Sequence, residues 1–374
     1  MKKLLVWQSS SVIIGTVIGA GILGLPFAFA KAGFMTGLLV LIFIGACILM
    51  LSIFFGEISL RTKANHQLTG YTEIYLGKSA KHIHALLLLF GMFSALLAYM
   101  IGLGQILSSL LGGSATLWSL ISYAILTIFV IWGLGIIKRI EFVISFVFLG
   151  LLFILAAIAT PHIDTSAWQN FDVRNFFVPY GAILFACTGL VSIPEAKLVL
   201  QAQKGERFLL TAILIGNIFP VLLYACFAAI VLAVTGANTT QIATIGLSNV
   251  VGPAALAIGS LFAIAAMSSS FMTLGTAISE IFHFDYHIKH VYTLFITLVV
   301  PLIFFLFGVR DFFGIVSTAG ALTVGVSGII TLIMFWRARS RGTRRPEYVV
   351  PNWLAIPATI IIAIVFILGL LYTL

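Results

Sequence analysis

The chain has 374 residues, of which 61% are hydrophobic and only 8% charged, and its formal net charge is +9 at pH 7. A water-soluble domain of that length could not cover itself with so little polar surface, so the composition leaves a polytopic, all-α integral membrane protein. The basic excess does not point to nucleic acid, because the basic residues fall in loops between apolar runs, which is the pattern of membrane topology.

The N-terminal stretch MKKLLVWQSSSVIIGTVIGAG has the basic start of a secretory signal but no convincing cleavage site, and it reads as a retained first helix. Apolar runs then follow at 9–31, 35–58, 84–111, 116–137, 141–160, 176–200, 209–235, 250–282, 291–308, 312–336 and 352–373. At roughly 20 apolar residues per crossing they predict about eleven transmembrane helices. With the N-terminus placed inside, the loops on that side collect seventeen of the twenty Lys and Arg residues; only Lys31, Arg174 and Arg310 fall on the other side. This sorting predicts a cytoplasmic N-terminus, an outside C-terminus and a place in the plasma (inner) membrane.

The first run is interrupted by GAGILGLP (residues 19–26). Glycine weakens a helix and proline removes a donor, and in hydrocarbon each freed backbone group costs several kcal/mol unless it is satisfied. The third run carries Tyr99 and Gln105 in AYMIGLGQIL, both candidates for contact with a ligand or for an outer gate. The fifth, EFVISFVFLGLLFILAAIAT, has no lysine in its body. The sixth repeats the pattern of the first: GLVSIP (189–194) matches GILGLP (21–26), with Lys197 and Lys31 beyond the prolines. The sixth span follows the first at an odd offset of five, so the second half enters the membrane from the opposite side as an inverted copy. The boundaries expected are 1–160 for the first five-helix repeat, 161–337 for the second, and 338–374 for a basic loop and an extra helix.

Interrupted helices at matching places in two inverted halves mark a transporter site. Half-helix N-termini offer free N–H groups to an anion, and the neighbouring carbonyls suit an ammonium or a metal cation. Such a pair fits a zwitterion. The loop 61–83 is expected to form a short interfacial helix, RARSRGTRRPE (337–347) to lie as a topology anchor at the anionic leaflet, and the uncharged loop 236–252 to cover a vestibule. Glu57 and Glu280 read as interfacial, and His66, His82, His84, His283, His287 and His290 as solvated loop residues. Cys47, Cys187 and Cys226 lie in apolar runs without paired spacing, which argues against disulfides and metal sites.

The stretches GTVIGAGILGLPFAFAKAGF (15–34), GLVSIPEAK (189–197) and AIAAMSSSFMTLGTAISEIFHFDYHIK (263–289) resemble amino acid permeases of the amino acid–polyamine–organocation superfamily. The likeness is to the aromatic (tryptophan/tyrosine) permease branch of the amino acid/auxin permease family. It implies the leucine-transporter fold: two inverted five-helix repeats plus one extra helix, with helices 1 and 6 broken, working by alternating access on an ion gradient. It places the substrate backbone on Gly19, Ala20, Gly21, Cys187, Thr188 and Gly189, with Phe185 as a gate. In sodium-coupled members of the fold an ion lies between helices 1 and 8, which here correspond to Gly15, Ile18, Ala265, Ser268 and Ser269. The rival is a proton, for which some relatives use a lysine in helix 5 that this chain lacks; Glu195 is then the candidate carrier, since carboxylates inside spans are functional hypotheses by default.

Spans 1, 3 and 6 carry no charge at mid-membrane, so the expected substrate is a neutral amino acid; the aromatic preference comes from the resemblance. The leading expectation is a secondary active transporter coupled to Na⁺ or H⁺, with an amino acid exchanger or a non-transporting amino acid sensor as the alternative. An intramembrane enzyme is not expected, because no nucleophile–base or metal constellation lies within the spans, and no Walker motif suggests a nucleotide-driven pump. The expected partners are a small amino acid and the lipid bilayer, with no cofactor beyond the coupling ion and no nucleic acid.

Overall fold

The computed structural model describes residues 2–19, 21–132, 150–151, 153–169, 171–282 and 288–373. Among them there is no strand. The first apolar run forms two helices, α1 (Lys2–Val17) and α2 (Gly21–Ala32), followed by α3 (Phe34–Arg61), α4 (Leu68–Leu76), α5 (Lys78–Leu111) and α6 (Ala115–Trp132). The apolar helix α7 (Phe153–His162) comes next. The sixth run also forms two helices, α8 (Tyr180–Cys187) and α9 (Ile193–Gln201), before α10 (Leu209–Thr235), α11 (Ala243–Val251), α12 (Pro253–Glu280) and α13 (His290–Leu306). The chain ends with α14 (Phe312–Ala319), α15 (Gly325–Arg341) and α16 (Asn352–Thr373). Half of the predicted helix over 141–160, and the loop holding Lys138 and Arg139, lie outside the described residues.

Seven of the described helical segments are long and apolar enough to cross a bilayer, or eight with α1 and α2 counted as one span bent by 57°. Shorter apolar helices at Ala115–Ile131, Phe153–His162 and Val291–Leu306 fall in three further predicted runs. Helices α1, α2 and α3 pack on α10, and α8 packs on α2, α3 and α14. Helix α5 lies against α4, α6, α12 and α14. A single apolar cluster runs through these contacts. The predicted interfacial helix is α4, and the loop over 236–252 contains α11, which rests on α10, α12 and α2.

The bundle has one end rich in basic residues, where α1 begins and α3 ends, and an opposite end where α2 ends. At the basic end the structure corrects several expectations. Glu57 is not interfacial: its side chain is fully buried, 2.9 Å from Arg61 and 3.1 Å from Arg339, and accepts the Val350 N–H at 2.8 Å. The segment after α15 is not a free anchor either. Thr343 and Arg344 donate their N–H groups to the Arg61 carbonyl, the Tyr348 hydroxyl donates to the Ile53 carbonyl at 2.7 Å, and Arg344 donates to both Glu206 oxygens at 2.9 and 2.6 Å. That hydrogen bonding to Glu206 pushes the Arg344 guanidinium pKa further up. Apart from Arg61, one turn from Glu57, these partners stand far apart in the chain, so local charge patterning could not reveal them. His84 also departs from the solvated reading: it is buried in α5 with Nδ1 2.7 Å from the Thr72 hydroxyl. His283 and His287 lie outside the described residues.

Candidate functional site

Two helix breaks face each other in the middle of the bundle. Helix α1 stops at Val17, and α2 restarts at Gly21. Helix α8 stops at Cys187, Thr188 is extended (φ −76°, ψ 126°), and a short 3₁₀ turn over Leu190–Ser192 leads into α9 at Ile193, with Pro194 at its start. Proline in the first turn of a helix forfeits only a donor that would be unpaired anyway, so Pro194 suits a restart. Pro26, by contrast, lies inside α2.

Close approach explains two of the glycines. A Cβ on Gly21 would lie 2.8 Å from the Ala186 Cα, and one on Gly189 would lie 2.5 Å from a Val17 methyl. Each break thus rests directly on the other. Tyr224 of α10 joins them: its buried hydroxyl lies 2.6 Å from the Val17 carbonyl and 3.1 Å from the Ala186 carbonyl.

Beside the breaks lies a cavity of about 200 Å³. Gly15, Thr16, Gly19 and Gly21 line it from the first span, and Phe185, Ala186, Thr188 and Val191 from the sixth. From α5 come Leu88, Met92, Ala95 and Tyr99, spaced three or four residues apart and therefore on one helix face. Helix α12 contributes Ser270, Thr273 and Leu274, and the segment from α14 to α15 contributes Ala319, Thr323, Val324 and Ser327. That last segment contains a π-helical turn over Gly320–Val324, a local widening often found at functional sites.

No Asp, Glu, Lys, Arg or His lines the cavity among the described residues. Its polarity comes from hydroxyls and broken-helix backbone. Tyr99 and Ser270 bring hydroxyls to this wall, and a Cβ on Gly19 would lie 3.2 Å from the Ser270 Oγ. Thr323 donates to the Leu87 carbonyl at 3.2 Å, and the Ser327 Oγ is buried with no protein partner among the described residues. Gly15 and Thr16 are exposed where they line the cavity, so solvent reaches it on that side. Toward the opposite end the way is filled. Phe312 is fully buried, Phe27 meets Phe313 edge-on at 5.0 Å, and the Lys31 ammonium sits over both rings at 4.6 and 5.6 Å. Gln241 joins this plug by donating to Asp311 at 3.1 Å.

Of the residues singled out from sequence, Gly15, Gly19, Gly21, Tyr99, Phe185 and Thr188 share the cavity wall. Cys187 and Gly189 belong to the break but not to the wall; Cys187 is buried and Gly189 packs on Val17. Ile18 is buried within the first break. Gln105, nearly two turns beyond Tyr99, is half-buried and off the wall. Ala265, Ser268 and Ser269 are half-buried on α12, and the serine of the 268–270 run that meets the cavity is Ser270. Glu195 is exposed in the first turn of α9, one turn past Val191. Ala20 lies outside the described residues. Sequence reasoning missed Ser270, Thr323, Ser327 and Tyr224. Ser270 ends the serine run 268–270 that drew notice, whereas Tyr224 is one tyrosine in an apolar run and gave no signal.

Comparison with known proteins agrees with this architecture. The sequence model of the tryptophan/tyrosine permease family matches residues 2–372. Tyrosine-specific transport system 1 of Haemophilus influenzae is 24% identical over 393 residues, covering 98% of this chain and 94% of that protein. Among solved structures, the MhsT complex with L-phenylalanine superposes with a TM-score of 0.64 at 14% identity, covering 98% of this chain and 97% of that one. MHP1, a nucleobase-cation-symport-1 family transporter in a closed conformation with bromovinylhydantoin bound, also gives 0.64 at 14% identity, covering 98% and 91%. The fold is that of the leucine transporter, all-helical and with interrupted first and sixth spans.

Proposed function

Since the chain belongs to the tryptophan/tyrosine permease family, an integral membrane family of aromatic amino acid permeases, we propose that it is a secondary active transporter of a neutral aromatic amino acid working by alternating access. The observation that carries this reading is the meeting of two helix breaks on a cavity with no charged side chain. A zwitterion brings one charge of each sign. Free N–H groups at the starts of α2 and α9 suit its carboxylate, and carbonyls at the ends of α1 and α8 suit its ammonium. A charged substrate side chain would find no counter-ion on the wall, whereas Leu88, Met92, Phe185 and Leu274 offer apolar contact to a ring.

The basic end is read as cytoplasmic, in keeping with the positive-inside rule. The cavity, exposed at Gly15 and Thr16 and plugged by Phe27 and Phe313, is then in an inward-facing arrangement. The residues proposed for the substrate backbone are Gly19, Gly21 and Thr188, with Tyr99, Phe185 and Ser270 beside them. The coupling ion is Na⁺ or H⁺. Sodium would use the carbonyls of Gly15 and Ile18 with Ala265, Ser268 and Ser269; a proton would use Glu195.

The test is uptake of labelled tyrosine, tryptophan, leucine and serine into proteoliposomes with an inward Na⁺ gradient, an inward proton gradient, or neither. Gradient-driven accumulation of tyrosine or tryptophan is expected. Binding without any uptake or exchange would replace the transporter with a sensor, and exchange without gradient dependence would make it an antiporter.

A further inference from the structure

Tyr224 is fully buried in the middle of α10, and its hydroxyl does not turn back to the backbone of its own helix. It reaches two chain segments that are 207 and 38 residues away. Both acceptors are special. Val17 is the last residue of α1 and Ala186 the next to last of α8, positions whose carbonyls lack intrahelical donors because the helix stops. At membrane depth such carbonyls need a partner. Two carbonyl oxygens that converge on one point also repel each other unless something positive sits between them. The single phenolic hydrogen supplies that positive group, and no bound ion is needed there.

We propose that Tyr224 is a positioning residue for the transport site: one phenol that ties the break between α1 and α2 to the break between α8 and α9, so that both are presented to a ligand as a unit. This rests on reading the two breaks as the amino acid site. The packing around it supports the coupling. Gly21 admits Ala186, and Gly189 admits Val17, so the residues that own the two carbonyls are also the ones pressed between the breaks. Once the shared hydrogen bond is lost, either break can shift without the other, and the zwitterion meets only one of its two half-sites in register.

The experiment compares Tyr224→Phe with Tyr180→Phe. The second removes an equally buried phenol on α8, one that donates to the Phe366 carbonyl at 3.5 Å, away from the breaks. Equilibrium binding of labelled tyrosine should weaken about tenfold or more in Tyr224→Phe and less than about twofold in Tyr180→Phe, with both proteins still eluting as folded monodisperse species. A second readout uses the unsubstituted protein without ligand: hydrogen exchange of peptides covering 13–19 and 184–190 should report one common opening, and in Tyr224→Phe the two should separate. Equal binding by the two variants would overturn the proposal, as would independent exchange of the two segments in the unsubstituted protein. If Tyr224→Phe does not fold, the exchange of the unsubstituted protein alone decides. If the unsubstituted protein binds no amino acid, the reading of the site fails, while the ligand-free exchange still tests the coupling.

Discussion

Substituting Gly21 by alanine adds one methyl group at the point where the two breaks touch. The added Cβ would lie 2.8 Å from the Ala186 Cα and 2.9 Å from its Cβ. Carbon atoms pack at about 3.5–4.0 Å, so the two segments must part by close to 1 Å. Neither neighbour is the end of a flexible side chain; both belong to Ala186, whose carbonyl is held by Tyr224. Overpacking of this kind costs about 1–3 kcal/mol, and misplacing binding groups by about 1 Å costs on the order of 100-fold in function. Uptake and binding of labelled tyrosine by Gly21→Ala should therefore fall about 10–100-fold while membrane insertion persists. A neighbouring glycine supplies the control. A Cβ on Gly24 would meet only a Phe312 ring carbon at 3.6 Å, an ordinary contact. Gly24→Ala should keep most activity. Equal transport by Gly21→Ala and Gly24→Ala in proteoliposomes would refute the claim that the breaks need direct contact.

Removing the charge of Glu57 by Glu57→Gln strands Arg61 and Arg339 against a buried neutral group, and a loss of about 3–5 kcal/mol is expected, read as a large drop in melting temperature in detergent. Ser270→Ala removes a hydroxyl from the cavity wall beside Gly19; tyrosine binding should weaken by about 0.5–1.5 kcal/mol, checked by calorimetry or scintillation proximity. The joint substitution Ser268→Ala with Ser269→Ala should abolish Na⁺-driven uptake if sodium is the coupling ion, whereas Glu195→Gln should abolish proton-driven uptake if the proton is; uptake that survives both would exclude both sites. Phe313→Ala removes the ring shared by Phe27 and Lys31, a loss of about 1–2 kcal/mol from the plug. A cysteine placed at Met267, which is buried and packs with Phe312 against Gly102, should then react roughly tenfold faster with a membrane-impermeant thiol reagent added from that side.

Much of this architecture was legible in the sequence because lipid imposes strict rules on a chain. Apolar length gives the spans, and glycine with proline inside a span announces a break that only a site can justify, which is how the segments at 19–26 and 189–194 were found. Charge sorting was informative in sum and misleading in detail. Glu57 read as interfacial, and Arg344 as part of a topology anchor, because their partners, Arg339 and Glu206, lie 282 and 138 positions away. The cavity wall was half legible for a similar reason. Tyr99 stood out as a polar aromatic residue in the third run and Phe185 as a ring beside the sixth-span break, but the choice of Ser270 over Ser268 and Ser269 depends on the rotation of α12, which a run of three identical residues does not specify. The π-helical turn at Gly320–Val324 had no local signature beyond Gly320.

The two ends of the cavity are built from different chemistry, and that difference bears on how a transporter of this kind could work. The basic end holds α3, α15 and the segment after it together through buried or half-buried ion pairs, with Glu57 engaging two guanidiniums and a backbone N–H at once. Breaking one such partner costs several kcal/mol, more than a conformational step can supply repeatedly. The opposite end is closed by an edge-on ring pair, a cation over aromatic faces and one amide–carboxylate hydrogen bond. Those contacts contribute about 0.5–1.5 kcal/mol each, so together they amount to a few kcal/mol, the size of gap that differential ligand binding can tip. On the proposed cycle the ionic cluster is therefore frame and the aromatic plug is gate. The breaks lie between them, where Tyr224 can pass a shift at one half-site to the other.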